Sequence, residues 1–241
     1  MKTKYLFFDL DGTISFDGDS IEENIIEYIL KLKESGHQIF INTGRGLSHI
    51  SKKIINCLPW DGIIAGSGYL WYKGEVLYSA VLSEKTVKDL YFYCKEKDAV
   101  GIFEGVDNIY TSKPYPVTEI LMTDENVDDT KEITSVTVLC HIEKDEAKEL
   151  FPDLGTVIFP NYFEGYPKDH GKDTCMRLLT EKFGISPDDM IAFGDSENDE
   201  RMLRYAGTSV AVGCVPDSFN SFITLHTENT VDAIKKIFEL D

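Results

Sequence analysis

The chain has 241 residues, an apolar fraction of 42% and a formal net charge of −18 at pH 7. This acidic balance disfavours nonspecific binding to nucleic acid or to an anionic membrane, because both depend on Lys and Arg side chains. No apolar run approaches the roughly 20 residues that span a bilayer, and the first residues lack a signal-peptide pattern. We therefore expect a globular cytoplasmic protein, monomeric or a small homo-oligomer.

The first third of the chain alternates strand-like and helical patterns. Ser20 and Glu23 predict a capping box in front of the first helix. In chain order the predicted elements are a strand at Tyr5–Leu10, a helix from Ile21, a strand at Gln38–Asn42, a helix at Leu47–Leu58, a strand at Gly62–Ala65 and a hairpin at Tyr69–Tyr78. Such alternation favours a parallel sheet joined by helical crossovers.

Between about Leu82 and Lys168 the pattern becomes irregular. The elements predicted there are helices at Glu84–Lys97 and Lys144–Phe151 and short strands at Val100–Phe103, Ile109–Ser112, Ser135–Cys140 and near Val157 and Tyr162. Alternation then resumes with helices at Lys172–Phe183, Asn198–Tyr205 and Val231–Leu240 and strands at Met190–Phe193 and Ser209–Val212. We predict an α/β core formed by residues 1–81 and 169–241, interrupted by a smaller α+β domain at residues 82–168.

Polar and acidic residues stand where the predicted core strands end. Asp9 and Asp11 follow the first strand, Thr43 follows the second, and Asp195 follows the strand that begins at Met190. The carboxyl ends of parallel strands face one crevice, so these residues are expected to meet there. Converging carboxylates repel one another, and a hard cation with oxygen ligands such as Mg²⁺ relieves that repulsion.

Four motifs, in order and spacing, resemble those of haloacid dehalogenase-superfamily phosphatases. They are Asp9-Leu10-Asp11-Gly12-Thr13, Thr43-Gly44-Arg45, Lys172 and Gly194-Asp195-Ser196-Glu197-Asn198-Asp199. The insertion between Thr43 and Lys172 is similar to the large cap of the Cof-type, sugar-phosphatase branch. The resemblance implies a Rossmann-like three-layer core with a parallel sheet and an inserted α+β cap. It also implies hydrolysis of phosphomonoesters of small metabolites, with sugar phosphates as the expected class.

The resemblance implies a role for each motif residue. Asp9 would be the nucleophile that forms an aspartyl phosphate, and Asp11 would be the general acid and then the general base. Thr43 and Lys172 would stabilise charge on the phosphoryl group.

The same resemblance implies a magnesium site and its surroundings. Mg²⁺ would be held by the carboxylates of Asp9 and Asp195 and by the backbone carbonyl of Asp11. Asn198 and Asp199 would support those ligands. The residues expected to bind phosphate or substrate are Gly12, Gly44 and Arg45.

Two alternatives to a phosphatase stay open. A phosphomutase would pass the phosphoryl group from the same aspartate to a second sugar hydroxyl. A phosphorylation-dependent binding or signalling module would also join acidic residues, a Thr and a Lys around Mg²⁺, but such receiver domains are about half this length. One departure concerns substrate placement: Ser67 stands where related proteins often carry Asn.

Overall fold

A computed structural model describes residues 2–240. Within that range the strands are β1 (Tyr5–Phe8), β2 (Gln38–Asn42), β3 (Gly62–Ala65), β4 (Tyr69–Tyr72), β5 (Glu75–Ser79), β6 (Gly101–Gly105), β7 (Ile109–Thr111), β8 (Ile120–Leu121), β9 (Ile133–Val138), β10 (Leu154–Ile158), β11 (Phe163–Pro167), β12 (Met190–Gly194), β13 (Thr208–Val212) and β14 (Leu225–Thr227). The α-helices are α1 (Glu23–Glu34), α2 (Lys52–Cys57), α3 (Glu84–Glu96), α4 (Lys144–Leu150), α5 (Thr174–Phe183), α6 (Glu200–Tyr205) and α7 (Thr230–Phe238).

The larger sheet has eight strands in the order β14-β13-β12-β1-β2-β3-β4-β5. Its first six strands are parallel, and β4 and β5 continue it as antiparallel strands. In the centre, Phe8 of β1 is paired with Ile41 of β2 on one side and with Phe193 of β12 on the other. This register places the residues that follow the three strands side by side.

Helices cover both faces of the larger sheet. One apolar cluster packs α1, α2 and α7 on one face, through residues such as Ile29, Ile54 and Ile234. The opposite face packs α5 and α6, through residues such as Met176 and Leu203. The result is a three-layer α/β core, which confirms the predicted fold class. No helix of residues 2–240 is both long and apolar enough to cross a membrane.

A second sheet of six strands has the order β10-β11-β9-β6-β7-β8. All its pairings are antiparallel except that of β7 with β8. Its own apolar cluster is formed by residues between Leu82 and Phe163, including Leu90 of α3 and Ala147 of α4. This sheet with its helices is the smaller α+β cap. The boundaries at residues 82 and 168 stay a prediction.

Two local predictions are wrong. Ser20 and Glu23 do not form a capping box. The N-cap residue of α1 is Glu22, whose side chain makes no capping hydrogen bond. The Ser20 hydroxyl instead donates to Asp17 Oδ2 at 2.6 Å. The helix predicted at Leu47–Leu58 is two pieces, a 3₁₀ turn at Leu47–His49 and then α2. Ser51 interrupts it because its side chain accepts a hydrogen bond from the Lys53 N–H and begins a new helix.

Candidate active site

The residues that follow β1, β2 and β12 meet at one cavity. The Asp9 N–H donates to the Phe193 carbonyl at 3.0 Å and the Thr43 N–H donates to the Ile64 carbonyl at 3.0 Å, so the sheet's hydrogen bonding continues up to the site. The cavity has a volume of about 360 Å³. Its lining residues are Asp9, Asp11, Gly12, Thr43, Gly44, Arg45, Phe159, Tyr162, Glu164, Asp195, Ser196 and Asn198.

Lys172 forms the floor beneath Asp9. Its side chain is 1% exposed, and its ammonium donates to Asp9 Oδ1 and to Asp199 Oδ1, each at 2.6 Å. Burial alone would lower the pKa of Lys172, but the two carboxylates raise it, so the side chain stays charged. Burial, together with Asp199 and Asp195, raises the pKa of Asp9 well above its usual value against the opposing effect of Lys172.

Three carboxylates converge beside Lys172. One ligand oxygen from each of Asp9, Asp195 and Asp199 lies within 4.8 Å of the others. Burial, with Asp199 nearby, raises the pKa of Asp195 to about 6. Three carboxylates against one ammonium leave excess negative charge, and an all-oxygen donor set suits a hard divalent cation. The residues present therefore fit Mg²⁺.

Asp199 differs from the other two carboxylates because both of its oxygens are engaged by the protein. Oδ1 accepts from Lys172, and Oδ2 accepts from the N–H groups of Asp195 at 2.9 Å and Ser196 at 3.0 Å. Asp199 therefore shapes the loop that carries Asp195. Asp195 is also oriented from the first motif, since the Thr13 hydroxyl donates to its Oδ1 at 3.3 Å. The assignment of Asp9 and Asp195 as metal ligands, with the Asp11 carbonyl as a third, stays a prediction.

Asp11 and Arg45 contact each other. The Arg45 Nε donates to Asp11 Oδ2 at 2.7 Å, Nη2 pairs with Asp11 Oδ1, and Nη1 donates to the Gly18 carbonyl at 2.8 Å. Both residues line the cavity. Arg45 therefore orients Asp11, and its contact with substrate stays a prediction.

Thr43 lies at the cavity with its side chain almost fully buried. Its Oγ1 accepts from the Arg45 N–H at 3.2 Å, which leaves the hydroxyl proton available to a ligand. Gly12 and Gly44 let their loops lie close to acidic side chains at the cavity. A Cβ on Gly12, whose φ is +79°, would lie 2.3 Å from Asp195 Oδ2, and one on Gly44 would lie 3.3 Å from Glu164 Oε2.

The cap supplies three lining residues, Phe159, Tyr162 and Glu164. The carboxylate of Glu164 accepts from Asn198 Nδ2 at 3.2 Å, a bond that joins β11 to the loop after β12. Sequence reasoning did not single out Phe159 or Glu164. The sequence does contain a signal for Glu164. It is a charged residue between Phe163 and Gly165, and alternation along a strand puts its side chain on the face opposite to those two residues.

The aromatic residues of the cap divide between its core and the cavity. Phe103, Tyr110 and Phe163 are buried in the apolar cluster of the cap, whereas Tyr162 lines the cavity. Ser67 is buried with a φ of 56°, a left-handed conformation that Asn adopts more readily than Ser, and it is not a lining residue.

Comparison with known proteins identifies relatives along almost the whole chain. YkrA from Bacillus subtilis, which is provisionally named a phosphatase, is 27% identical over 237 residues, or 90% of this chain and 89% of YkrA. The 5-amino-6-(5-phospho-D-ribitylamino)uracil phosphatase YitU from the same organism is 24% identical, over 98% of this chain and 92% of its own length.

A solved structure is equally similar. The HAD subclass IIB sugar phosphatase BT4131 superposes with a TM-score of 0.81 and 27% identity, covering 98% of this chain and 99% of that protein. The sequence model of haloacid dehalogenase-like hydrolases matches residues 6–237. The match to this family model identifies the protein as a hydrolase. The chain belongs to the family of haloacid dehalogenase-like hydrolases.

Proposed function

We propose that this enzyme is a Mg²⁺-dependent phosphatase that hydrolyses phosphomonoesters of small metabolites through an aspartyl phosphate on Asp9. The observation that carries the proposal is the buried pair of Asp9 and Lys172 at the end of β1, beside two further carboxylates and open to a cavity. The names of the relatives YitU and BT4131 support a sugar or polyol phosphate as substrate. We propose the cytoplasm as its compartment.

In the proposed mechanism Asp9 attacks phosphorus. In the first step a bond forms between a carboxylate oxygen of Asp9 and phosphorus while the bond from phosphorus to the leaving oxygen breaks. Asp11 gives its proton to that oxygen, which leaves as an alcohol. In the second step Asp11 takes a proton from water, the water oxygen bonds to phosphorus, and the bond to Asp9 breaks to release phosphate.

The remaining site residues hold the phosphoryl group and its charge. The Thr43 hydroxyl donates to a phosphoryl oxygen, and Lys172 keeps Asp9 oriented while offsetting negative charge. The side chains of Asp9 and Asp195 would hold Mg²⁺, together with the Asp11 carbonyl. When bound, the cation offsets the repulsion between the carboxylates and the phosphate dianion. Gly12 lets the loop of the first motif lie against Asp195.

The test is release of inorganic phosphate from a panel of phosphorylated sugars, polyols and cofactors, each with Mg²⁺ or with EDTA. Release that requires Mg²⁺ and is lost in the variant Asp9→Asn supports the proposal. The control is Asp153→Asn, which removes the same charge from an exposed residue outside the cavity. Full turnover in Asp9→Asn, or turnover in EDTA equal to that in Mg²⁺, contradicts it.

Product analysis separates hydrolysis from the alternatives. Transfer to a second sugar at a rate above that of phosphate release would indicate a phosphomutase. A stable phosphorylated protein without multiple turnover would indicate a binding or signalling module.

A further inference from the structure

The turn that joins β10 to β11 places two aromatic rings at the cavity. The rings of Phe159 and Tyr162 are stacked, with centroids 4.4 Å apart and planes within 14° of parallel. The Phe159 N–H donates to the Tyr162 carbonyl at 2.9 Å and closes the turn between them. Both side chains line the cavity. Stacked, half-buried rings of this kind can pack against the C–H face of a sugar or against a planar ring.

Glu164 lies two residues beyond Tyr162, on the same side of the chain by the alternation of a strand. Strand β11 is paired with β10 on one side and with β9 on the other, so the position of Glu164 is well supported. Its Oε2 accepts from Asn198 and lies 3.3 Å from where a Cβ on Gly44 would be. The carboxylate therefore extends from β11 of the cap toward two core loops, one that carries Asn198 and one that carries Thr43 and Gly44.

Among residues 2–240, Glu164 forms no ion pair, and the two basic side chains at the cavity and beneath it are already paired. Arg45 is the one basic residue among the residues of the 2–240 range that line the cavity, and it binds Asp11. Lys172 beneath the cavity binds Asp9 and Asp199. A Mg²⁺ ion would be engaged by the carboxylates and the transferred phosphate. A second anionic group on a substrate would then meet the Glu164 carboxylate, and no unpaired basic side chain among the described lining residues would offset it.

Building on the proposed function, we propose that Phe159, Tyr162 and Glu164 form the leaving-group subsite, which takes an uncharged, hydroxyl-bearing leaving group and rejects one that carries a second anionic group. The carboxylate of Glu164 accepts hydrogen bonds from hydroxyl groups, and the stacked rings contact the carbon face of the same group. An anionic group at this position lacks a donor for Glu164 and is repelled by it. Glu164 is thus a specificity-determining residue.

The test compares substrates matched in size that differ by one carboxylate. The pairs are glucitol 6-phosphate with 6-phosphogluconate, and glycerol 3-phosphate with 3-phosphoglycerate. For the wild-type enzyme we expect kcat/KM to be at least about tenfold higher for the uncharged member of a pair. In Glu164→Gln we expect the ratio to fall by about fivefold or more, because the acidic member improves once the opposing charge is gone.

Glu164→Gln keeps the shape of the side chain and an oxygen that accepts from Asn198, so the cap contact is retained. The matched control is Asp153→Asn, which removes the same charge from an exposed residue of the cap outside the cavity, and its ratio should equal that of the wild type. Hydrolysis of p-nitrophenyl phosphate with Mg²⁺ verifies that each variant is folded and active.

Three outcomes overturn the inference. Equal or higher kcat/KM for the acidic members contradicts the proposed selectivity, and an unchanged ratio in Glu164→Gln contradicts the role of Glu164. Both leave the proposed phosphatase function standing if p-nitrophenyl phosphate is hydrolysed. Failure of the wild type to release phosphate from any of the five compounds overturns the proposed function together with the inference.

Discussion

Arg45 holds both carboxylate oxygens of Asp11 with two nitrogens of its guanidinium group. The Arg45 side chain is 16% exposed and that of Asp11 is 54% exposed, so the buried partner orients the open one. Arg45 is fixed in turn by the Gly18 carbonyl. We infer that Arg45 sets the direction from which Asp11 reaches the leaving oxygen.

Replacing Arg45 by Lys should lower kcat by about tenfold while KM changes little, because a single ammonium cannot hold two oxygens in a fixed orientation. Steady-state kinetics on the preferred substrate measures both constants. Arg204→Lys is the control, since Arg204 pairs with Glu200 on the surface. A tenfold rise in KM with unchanged kcat would instead show that Arg45 mainly binds substrate.

Lys172 should be essential for stability in the absence of metal. Lys172→Met leaves Asp9 and Asp199 buried without a counter-ion, and we expect the free energy of unfolding to fall by about 3 to 5 kcal/mol. Saturating Mg²⁺ should restore part of that loss, because it supplies positive charge to the same carboxylates. Urea unfolding with and without Mg²⁺ measures both effects.

The control for Lys172→Met is Lys52→Met at an exposed residue, where a change within about 0.5 kcal/mol is expected. Similar losses in the two variants would mean that the buried ion pairs add little to the stability of the fold.

Binding of Mg²⁺ should weaken in acid. The pKa of Asp195 is raised from 3.8 to about 6, chiefly by burial, and a ligand carboxylate must lose its proton to bind a cation. Affinity should therefore fall by up to about tenfold for each pH unit below about 6. Calorimetric titration with Mg²⁺ at about pH 5 and about pH 7.5 provides the comparison, and equal affinities would remove Asp195 from the ligand set.

When no metal is bound, the raised pKa of Asp195 makes the protein less stable, not more, as the pH increases. Between 3.8 and about 6 the folded protein holds a proton on Asp195 that the unfolded chain has released. The free energy of unfolding contributed by this group is therefore full below about pH 4 and is lost as the pH rises through about 6. In Asp195→Asn this part of the pH dependence should be missing, which chemical denaturation across that range can detect.

A side chain at position 12 should displace Asp195. Ala at this position would combine a φ of +79° with a Cβ 2.3 Å from Asp195 Oδ2, so Asp195 must move. Gly36→Ala is a matched control, since Gly36 has a φ of +86° and no atom within 4 Å of the added Cβ. Both variants should lose about 1 to 2 kcal/mol from the backbone conformation.

Gly12→Ala alone should weaken the binding of Mg²⁺ and lower activity, which calorimetry and phosphate release test. Normal metal affinity in this variant would mean that Asp195 can bind the ion from a displaced position.

The core of the fold could be predicted closely because its strands carry strong, local signals. Gln38–Asn42 and Gly62–Ala65 each have an apolar centre and lie close to turn residues, and they are strands with the predicted bounds. By contrast β8, with two residues, and β14, Leu225–Thr227, are too short to have a period, and both exist through pairing with a neighbouring strand. Tertiary contacts of this kind are not visible in a single sequence.

The candidate site shows the same division. Asp9, Thr43 and Asp195 follow core strands, and the sheet topology brings them to one cavity as expected. Lys172 precedes α5 and contacts Asp9 from there. The pairing of Arg45 with Asp11 could not be read from spacing, because two side chains 34 residues apart meet only through the course of two loops. Glu164 was missed because the orientation of the cap over the core depends on contacts such as that with Asn198.

The proposed nucleophile and the proposed leaving-group subsite lie on different sheets, which differ in local stability. Asp9 follows β1, which is hydrogen-bonded on both sides in the middle of eight strands, whereas the hairpin bearing Phe159 and Tyr162 includes β10, an edge strand. Edge elements open locally at a lower free energy than central ones. Warming should therefore broaden the range of accepted substrates before it lowers the rate of phosphate release.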